Sequence, residues 1–212
     1  MAGRIEVIAG SMFAGKTGEL ILRLERAKIA KKLSGKEGKE AQVTAYKHSL
    51  DARYDDVALA THPIEGDALL GRRYPAVPVA SALMLERHWK RTPSDIIGID
   101  EAQFFEPLLA NVALLLASKG VRVIIAGLDM DSDGNPFGPM AALLAIAEKV
   151  TKVHAICVTC GSDASHTFYK RPVKQTQIEV GAAEAYEARC RPCWHKGQQE
   201  RKAAEQAAML QR

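Results

Sequence analysis

The sequence has few aromatic residues and no apolar run long enough to cross a lipid bilayer. Aromatic residues make up 6% of its 212 residues, and the formal net charge is only +4. A bilayer-spanning helix needs about 20 consecutive apolar residues, and the first residues lack the apolar stretch of a signal peptide. The mild charge and the sparse aromatics argue against a dedicated nucleic-acid binder. We therefore expect a cytoplasmic protein that acts without a membrane or nucleic-acid partner.

Cysteine is also scarce, and its distribution is informative. All four cysteines follow residue 156, and they form two Cys-x-x-Cys pairs. In a cytosolic chain such clustering favours a metal over disulfides, and the duplication argues against a redox Cys-x-x-Cys. Two such turns complete a tetrahedral Zn²⁺ site with no open position, which would anchor both ends of the polar segment 161–189. The spacing predicts a structural zinc ion bound by Cys157, Cys160, Cys190 and Cys193.

A glycine-rich segment joins the first apolar run to a helical pattern. Residues 10–17 match G-x-x-x-x-G-K-[ST] in a strand–loop–helix setting. The glycines let successive backbone N–H groups face one concavity, where a phosphate lies against the positive end of the helix dipole. Lys16 would neutralise the outer phosphates, and the Thr17 hydroxyl would bind Mg²⁺. The motif predicts a nucleoside triphosphate site formed by Gly10, Ser11, Met12, Phe13, Ala14, Gly15, Lys16 and Thr17.

A second motif is an apolar strand that ends in two adjacent carboxylates. Residues 96–99 are Ile-Ile-Gly-Ile, and Asp100 and Glu101 follow. In a P-loop sheet Asp100 can approach the Mg²⁺ and the phosphates, whereas Glu101 lies where a general base or water-orienting group belongs. Successive strand residues point in opposite directions, so the two acids need not share a role. An ATPase would activate water with Glu101, and a small-molecule kinase would deprotonate a substrate hydroxyl. These motifs do not decide between the two.

Strand-like and helix-like patterns alternate through the first 150 residues. This alternation predicts an α/β fold in which helices flank a parallel P-loop sheet, followed by a small zinc-binding domain. We expect a nucleotide-binding domain at 1–150, a zinc-binding domain at 151–195, and a charged tail at 196–212 that is either helical or disordered. Strands are predicted at 3–9, 41–46, 95–100 and 121–128, helices at 17–32, 81–90, 105–118 and 139–150, and a mobile loop at 49–73.

Together these motifs resemble those of the cytosolic, zinc-containing (type II) thymidine kinases over roughly residues 3–195. The resemblance implies a P-loop α/β domain and a small zinc domain whose lasso loop, between the cysteine pairs, closes over a nucleoside. The implied reaction transfers the γ-phosphate of ATP to the 5′-hydroxyl of thymidine, with deoxyuridine as a further candidate. Besides the P-loop and the cysteines, the matching segments are Asp-Ala-Arg-Tyr at 51–54, Gly-Ile-Asp-Glu-Ala-Gln-Phe-Phe at 98–105, Gly-Leu-Asp at 127–129, Pro-Phe-Gly at 136–138 and Tyr-Glu-Ala-Arg-Cys at 186–190.

The same resemblance implies roles for individual residues. Glu101 would be the base for the 5′-hydroxyl, while Lys16, Thr17 and Asp100 would bind the phosphates and Mg²⁺. Asp51 would act through Mg²⁺-bound water, and Arg53 would stabilise charge on the transferred phosphoryl group. The nucleoside would contact Met12, Phe104, Leu128, Phe137, Thr167 and Tyr186, together with lasso main-chain groups at Ile178, Glu179, Val180 and Gly181.

The resemblance also implies a homotetramer and feedback inhibition by thymidine triphosphate (dTTP). Two other function classes are considered alongside it. A P-loop ATPase with a zinc-ribbon partner-binding module would show hydrolysis stimulated by a macromolecule, whereas a kinase requires a nucleoside and releases its monophosphate. A zinc-ribbon nucleic-acid module with a nucleotide switch is disfavoured by the net charge of +4.

Overall fold

The protein is described by a computed structural model that covers residues 3–33, 42–50, 58–61, 71–171 and 184–210. Its centre is a seven-stranded sheet of β1 (Arg4–Ala9), β2 (Val43–His48), β3 (Ala58–Ala60), β4 (Arg73–Val79), β5 (Ile96–Asp100), β6 (Arg122–Gly127) and β7 (Lys149–Lys152). The strand order is β3-β4-β2-β5-β6-β1-β7. Every neighbouring pair is parallel except β3 and β4.

Helices cover both faces of this sheet. On one face α1 (Lys16–Leu33) buries an apolar stripe against the strands. The other face is covered by α2 (Ala82–Arg91), α3 (Leu108–Ser118) and α4 (Met140–Ile146). Strands β5 and β6 are buried on both faces, which explains their nearly continuous apolar sequence. The predicted α/β fold class is confirmed. No helix in the described residues is long and apolar enough to cross a membrane.

Parallel pairing brings the functional motifs to one edge of the sheet. The P-loop follows β1, Asp100 ends β5, and Leu128 follows β6. Because β6 pairs with both β1 and β5, the carboxyl ends of these three strands are neighbours. Ligands of open α/β sheets bind outside the carboxyl ends of the strands, so we expect the ligand-binding site at this edge.

The helix predicted at 139–150 is wrong in its second half. It ends at Ile146, and Lys149–Lys152 forms edge strand β7 beside β1. The backbone N–H of Glu148 donates to the Ile5 carbonyl at 3.0 Å, and the Ile5 N–H donates to Glu148 Oε2 at 2.6 Å. Pairing with a strand about 140 residues away therefore overrides the local helical pattern.

The loop predicted at 49–73 is wrong where β3 lies and where β4 begins. Strand β4 contains Pro75 and Pro78, which obscure its alternation of exposed and buried residues. It nevertheless pairs with β2 on one side and with β3 on the other. Residues 51–57 and 62–70 of this stretch lie outside the described part of the chain.

The C-terminal segment forms two small antiparallel pairs and a long helix. The strands are β8 (Ala155–Ile156), β9 (Asp163–Ala164), β10 (His166–Tyr169) and β11 (Tyr186–Arg189), with β8 paired to β9 and β10 to β11. Helix α5 (Arg191–Leu210) crosses the predicted boundary at 195, so the described part of the tail is helical. The core here is small and consists of Ala155, Cys157, Ala164 and Ala188.

A buried charge cluster ties α1 to the sheet. Glu6 on β1 is 1% exposed. Arg23 of α1 donates to Glu6 Oε2 at 3.2 Å, and Arg122 of β6 donates to its two oxygens at 2.7 and 3.1 Å. Burial alone would raise the pKa of Glu6, but Arg122, Arg4 and Arg23 together hold that pKa below its ordinary value. The cluster thereby fixes the helix that begins in the P-loop.

The Glu6→Gln variant is expected to lower the free energy of unfolding by about 3 kcal/mol at neutral pH, because it leaves the buried Arg23 and the partly buried Arg122 without their carboxylate. Since the folded-state pKa of Glu6 lies below its unfolded value, the wild type has this stability above about pH 4.5. The advantage is lost as the pH falls further. Urea unfolding of both proteins across this range measures the difference.

Glu19→Gln is the matched control for this experiment. Glu19 also pairs with Arg23, at 2.8 Å, but its side chain is 31% exposed. Its loss should therefore cost less than about 1 kcal/mol. Equal losses for the two variants, or a Glu6 effect that grows in acid, would contradict the assignment.

Candidate active site

The P-loop turns between β1 and α1 in a conformation that its glycines permit. Gly10 has φ +155°, and a Cβ there would lie 2.2 Å from the Val153 carbonyl oxygen. Gly15 has φ +77°, a left-handed conformation that glycine adopts without strain. The Lys16 ammonium donates to the Ser11 carbonyl at 2.6 Å. The lysine thus folds back over its own loop, the position from which a P-loop lysine reaches phosphates.

Asp100 connects the P-loop to the second acidic residue. Thr17 Oγ1 donates to Asp100 Oδ2 at 2.9 Å, and the Glu101 backbone N–H donates to Asp100 Oδ1 at 3.0 Å. Asp100 is buried. A hydroxyl and a carboxylate side by side supply the oxygen ligands that Mg²⁺ prefers. The donor set at Thr17 and Asp100 therefore fits that ion.

Glu101 departs from the strand in an unusual backbone conformation. Its φ of 52° and ψ of 42° are left-handed, and it starts the short 3₁₀ helix Ala102–Phe104. Its carboxylate accepts a hydrogen bond from the Gln103 side-chain amide. Asp100 and Glu101 therefore have different partners, although they are adjacent in sequence. A non-glycine residue in this region costs about 1 kcal/mol, and such strain clusters at functional sites.

Three of the predicted substrate residues lie together beside Glu101. The rings of Phe104 and Phe137 meet edge to face with centroids 6.0 Å apart. Leu128 follows β6 directly, and its N–H donates to Gln103 Oε1 at 2.9 Å. Phe104, Leu128 and Phe137 are all half-buried. Phe104 belongs to the 3₁₀ helix that Glu101 starts, and Leu128 bonds the same Gln103 amide as Glu101, so all three residues are linked to this turn.

The other three predicted substrate residues lie between the P-loop and the C-terminal segment. Met12 packs against the buried cluster of Tyr169, Ala185 and Tyr186. The Met12 backbone N–H donates to Thr167 Oγ1 at 3.1 Å. Strands β10 and β11 therefore lie against the P-loop, through the Thr167 hydroxyl and through the cluster that contains Tyr169 and Tyr186.

Six predicted site residues fall outside the described part of the chain, so their roles stay predictions. They are Asp51, Arg53, Ile178, Glu179, Val180 and Gly181.

The four cysteines form one compact cluster. Their sulfur atoms all lie within 4.8 Å of one another, and Cys160 Sγ is 3.5 Å from Cys190 Sγ. Zn–S bonds of 2.3 Å in a tetrahedron place sulfurs about 3.8 Å apart, so the cluster can hold a metal ion of that kind. Burial opposes ionisation of Cys157, but hydrogen bonds from Cys190, Thr159 and Cys160 outweigh it and lower its pKa to about 6. The pKa of Cys193 is raised to about 12, first through Cys190. Close thiols oppose ionisation of one another unless a cation neutralises them.

Helix α5 joins the cysteine cluster to the edge of the main sheet. Trp194 Nε1 donates to the carbonyls of Thr167 and Ser132, at 3.2 and 3.3 Å. Gln198 Nε2 donates to the same Ser132 carbonyl at 2.8 Å. Ser132 belongs to the loop that follows β6 and leads to Phe137. The helix that starts between the last two cysteines therefore bonds Thr167, a predicted substrate residue, and the loop that connects Leu128 to Phe137.

The sequence of this chain is similar to those of known thymidine kinases. The family model described as "Thymidine kinase" matches residues 3–194. A thymidine kinase of Bacteroides fragilis is 47% identical over 199 residues, covering 93% of this chain and 90% of that protein. A thymidine kinase of Porphyromonas gingivalis is 45% identical, with coverages of 92% and 86%. One of Bdellovibrio bacteriovorus is 42% identical, with coverages of 89% and 84%. The chain belongs to the thymidine kinase family.

Membership of the thymidine kinase family confirms the resemblance stated from the sequence motifs. It also makes the protein a phosphotransferase, so the alternative of an ATPase with a partner-binding module is not favoured.

Three residues of this thymidine kinase family site carry no predicted role. Lys47 is buried and lies in register with Asp100 on the neighbouring strand. Gln103 bonds Glu101 and Leu128, and Trp194 bridges Thr167 and Ser132. A lysine at a strand end is normally expected to be exposed, so the burial of Lys47 and its place beside Asp100 become known only from the strand pairing. The sequence signals that could have been used are a tryptophan beside Cys193, in a segment otherwise rich in charge, and the place of Gln103 within the matching segment 98–105.

Proposed function

We propose that this protein transfers the γ-phosphate of ATP to the 5′-hydroxyl of thymidine, and of deoxyuridine as a second acceptor. The observation that carries the proposal is the unbroken connection from Thr17 in the P-loop, through Asp100, to Glu101. It brings a phosphate-binding element and a carboxylate to one strand end. The product, thymidine monophosphate (dTMP), is a precursor for DNA synthesis.

Glu101 acts as the base in this reaction. The 5′-oxygen attacks the γ-phosphorus, its proton passes to the Glu101 carboxylate, and the bond to the bridging oxygen of ADP breaks. Phosphoryl transfer depends mainly on positioning and charge neutralisation. The P-loop residues 10–17 bind the phosphates, with the Lys16 ammonium neutralising the outer ones, and Arg53 stabilises the transferred group. We assign to the half-buried rings of Phe104 and Phe137 the role of limiting the access of water to the phosphoryl group.

Thr17, Asp100 and Asp51 would hold the Mg²⁺ that accompanies ATP, with Asp51 acting through bound water. When bound, Mg²⁺ supplies charge neutralisation of the β- and γ-phosphates. The adjacency of Thr17 Oγ1 and Asp100 Oδ2 at 2.9 Å supports this assignment.

The nucleoside binds between the two groups of substrate residues. Phe104, Leu128 and Phe137 line one side, and Met12, Thr167 and Tyr186 the other. An uncharged base suits apolar walls with a few backbone hydrogen bonds. The lasso segment that contains residues 178–181 supplies those bonds to the polar edge of thymine.

The four cysteines hold a structural zinc ion, because a four-sulfur site leaves no position open for substrate. The zinc-binding domain at 151–195 then anchors the lasso over the nucleoside, next to the nucleotide-binding domain at 1–150. Within the charged tail at 196–212, residues 196–210 belong to α5. By the same resemblance the enzyme is a cytoplasmic homotetramer that dTTP inhibits.

A nucleoside panel tests the proposal. The protein is incubated with ATP, Mg²⁺ and each of thymidine, deoxyuridine, deoxycytidine, deoxyadenosine and deoxyguanosine, and the products are identified by mass spectrometry. We expect monophosphates from thymidine and deoxyuridine only. A panel with no phosphorylated nucleoside, or with phosphate only on purines, would overturn the proposal.

A further inference from the structure

The amide of Gln103 lies between the carboxylate of Glu101 and the end of β6. Its Nε2 donates to Glu101 Oε2, and its Oε1 accepts the Leu128 N–H at 2.9 Å. Gln103 is 2% exposed. Both ends of one side chain are thus engaged, one by a carboxylate and the other by a backbone group beside the predicted nucleoside surface.

Two glycines let the backbone approach Gln103 closely. A Cβ at Gly127, the last residue of β6, would lie 3.0 Å from Gln103 Oε1 and 2.7 Å from the sulfur of Met140. A Cβ at Gly138, where φ is +51°, would lie 2.2 Å from the backbone carbonyl oxygen of Gln103. Because the Gln103 side chain is buried and hydrogen-bonded at both ends, it is held in place relative to the end of β6.

The bond from Gln103 also sets the direction of the Glu101 carboxylate. Glu101 stands in a left-handed conformation at a turn, where no regular strand or helix orients its side chain. A hydrogen bond to one carboxylate oxygen restricts the orientations that the group can adopt. A charge-assisted bond of this kind is stronger than a neutral one, and a buried donor cannot be replaced by water.

From these contacts we propose that Gln103 is a positioning residue for phosphoryl transfer: it ties the Glu101 carboxylate to the strand end that carries Leu128. The proposal rests on the proposed function, in which Glu101 is the base. The distance from the Glu101 carboxylate to the nucleoside beside Leu128 then depends on the position of the Gln103 amide. Misplacement of a reacting group by 1 Å can cost about a hundredfold in rate.

The first test is Gln103→Met, which keeps the length of the side chain but removes both the donor and the acceptor. We expect kcat for thymidine to fall by about 10- to 100-fold, while KM for ATP changes little. Gln103→Glu is the isosteric second variant, which keeps an acceptor for the Leu128 N–H and faces Glu101 with a second carboxylate. It should lose at least as much activity. A wild-type kcat in either folded variant would overturn the inference.

The second test asks whether Gln103 acts through Glu101. Gln103→Met is combined with Glu101→Gln, and residual transfer is measured with radiolabelled ATP over long incubations. If Gln103 acts by orienting the Glu101 carboxylate, Gln103→Met should not lower the residual transfer rate of Glu101→Gln any further. Gln198→Met is the matched control, because it removes another buried amide donor, which bonds the Ser132 carbonyl instead. Its fold-loss in transfer rate should be the same in the wild type and in Glu101→Gln.

The outcomes separate the two claims. If Gln103→Met lowers the transfer rate by the same factor in the wild type and in Glu101→Gln, Gln103 has no positioning role, but the proposed function is unaffected. Full activity of Glu101→Gln alone would instead remove Glu101 as the base, whatever Gln103 does.

Discussion

Glu101→Gln is expected to lower kcat for thymidine phosphorylation by about 10³-fold, within the range typical of a lost general base. Glutamine fits the same space, and its amide oxygen still accepts the bond from Gln103. It cannot take the proton of the 5′-hydroxyl. Because ATP binding is assigned to the P-loop and Glu101 to the acceptor hydroxyl, the Kd for ATP should stay within about twofold. Steady-state kinetics and nucleotide titration measure the two quantities.

Glu86→Gln is the matched control for this variant. Glu86 lies on α2, where its carboxylate pairs with Lys90, and it has no part in the proposed site. Its kcat should equal that of the wild type. Near-normal turnover of Glu101→Gln would contradict the assignment of the base, and a loss of ATP affinity equal to the loss of kcat would indicate a structural effect instead.

Loss of one cysteine ligand is expected to have the second-largest effect. The purified protein should contain about one zinc per chain, and Cys190→Ser should retain much less, because three thiolates bind the ion more weakly. The cysteine cluster lies next to β10 and β11, which bring Thr167 and Tyr186 to Met12. We therefore expect a lower melting temperature and a rise in KM for thymidine of about tenfold or more. Metal analysis, calorimetry and kinetics measure these changes.

Val158→Ser is the control for the cysteine variant. Val158 lies in the same turn as Cys157 and Cys160, and it is 63% exposed. Its replacement introduces serine without removing a sulfur ligand, so zinc content and KM for thymidine should stay those of the wild type. Absence of zinc from the unmutated protein, or full zinc and normal KM in Cys190→Ser, would contradict the structural role.

The parts of the site that follow from short motifs could be predicted from sequence. The P-loop, the Asp100–Glu101 pair and the cysteine pairs each depend on residues close together in the chain. Their spacing alone carries the chemistry. The structure places Thr17 next to Asp100 and gathers the four sulfurs into one cluster. The parallel sheet also follows from local alternation of patterns.

Features that depend on distant pairing could not be predicted in this way. The sequence predicts Lys149 and Val150 at the end of a helix, but they belong to β7 because this strand pairs with β1 and the preceding Glu148 exchanges hydrogen bonds with Ile5. Gln103 lies within the matching segment 98–105, but its role depends on its hydrogen bond with Leu128, which is 25 residues away in the chain. The same is true of Trp194, whose indole finds its partners 27 and 62 residues away.

Phosphoryl transfer to thymidine is tested by following the γ-phosphate of ATP. The wild-type enzyme is incubated with γ-labelled ATP and Mg²⁺, with and without thymidine, and the label is followed into dTMP and inorganic phosphate. We expect one labelled dTMP for each ADP formed, and almost no ADP when thymidine is absent. Labelled inorganic phosphate released at the same rate without thymidine, and no labelled dTMP, would contradict this expectation.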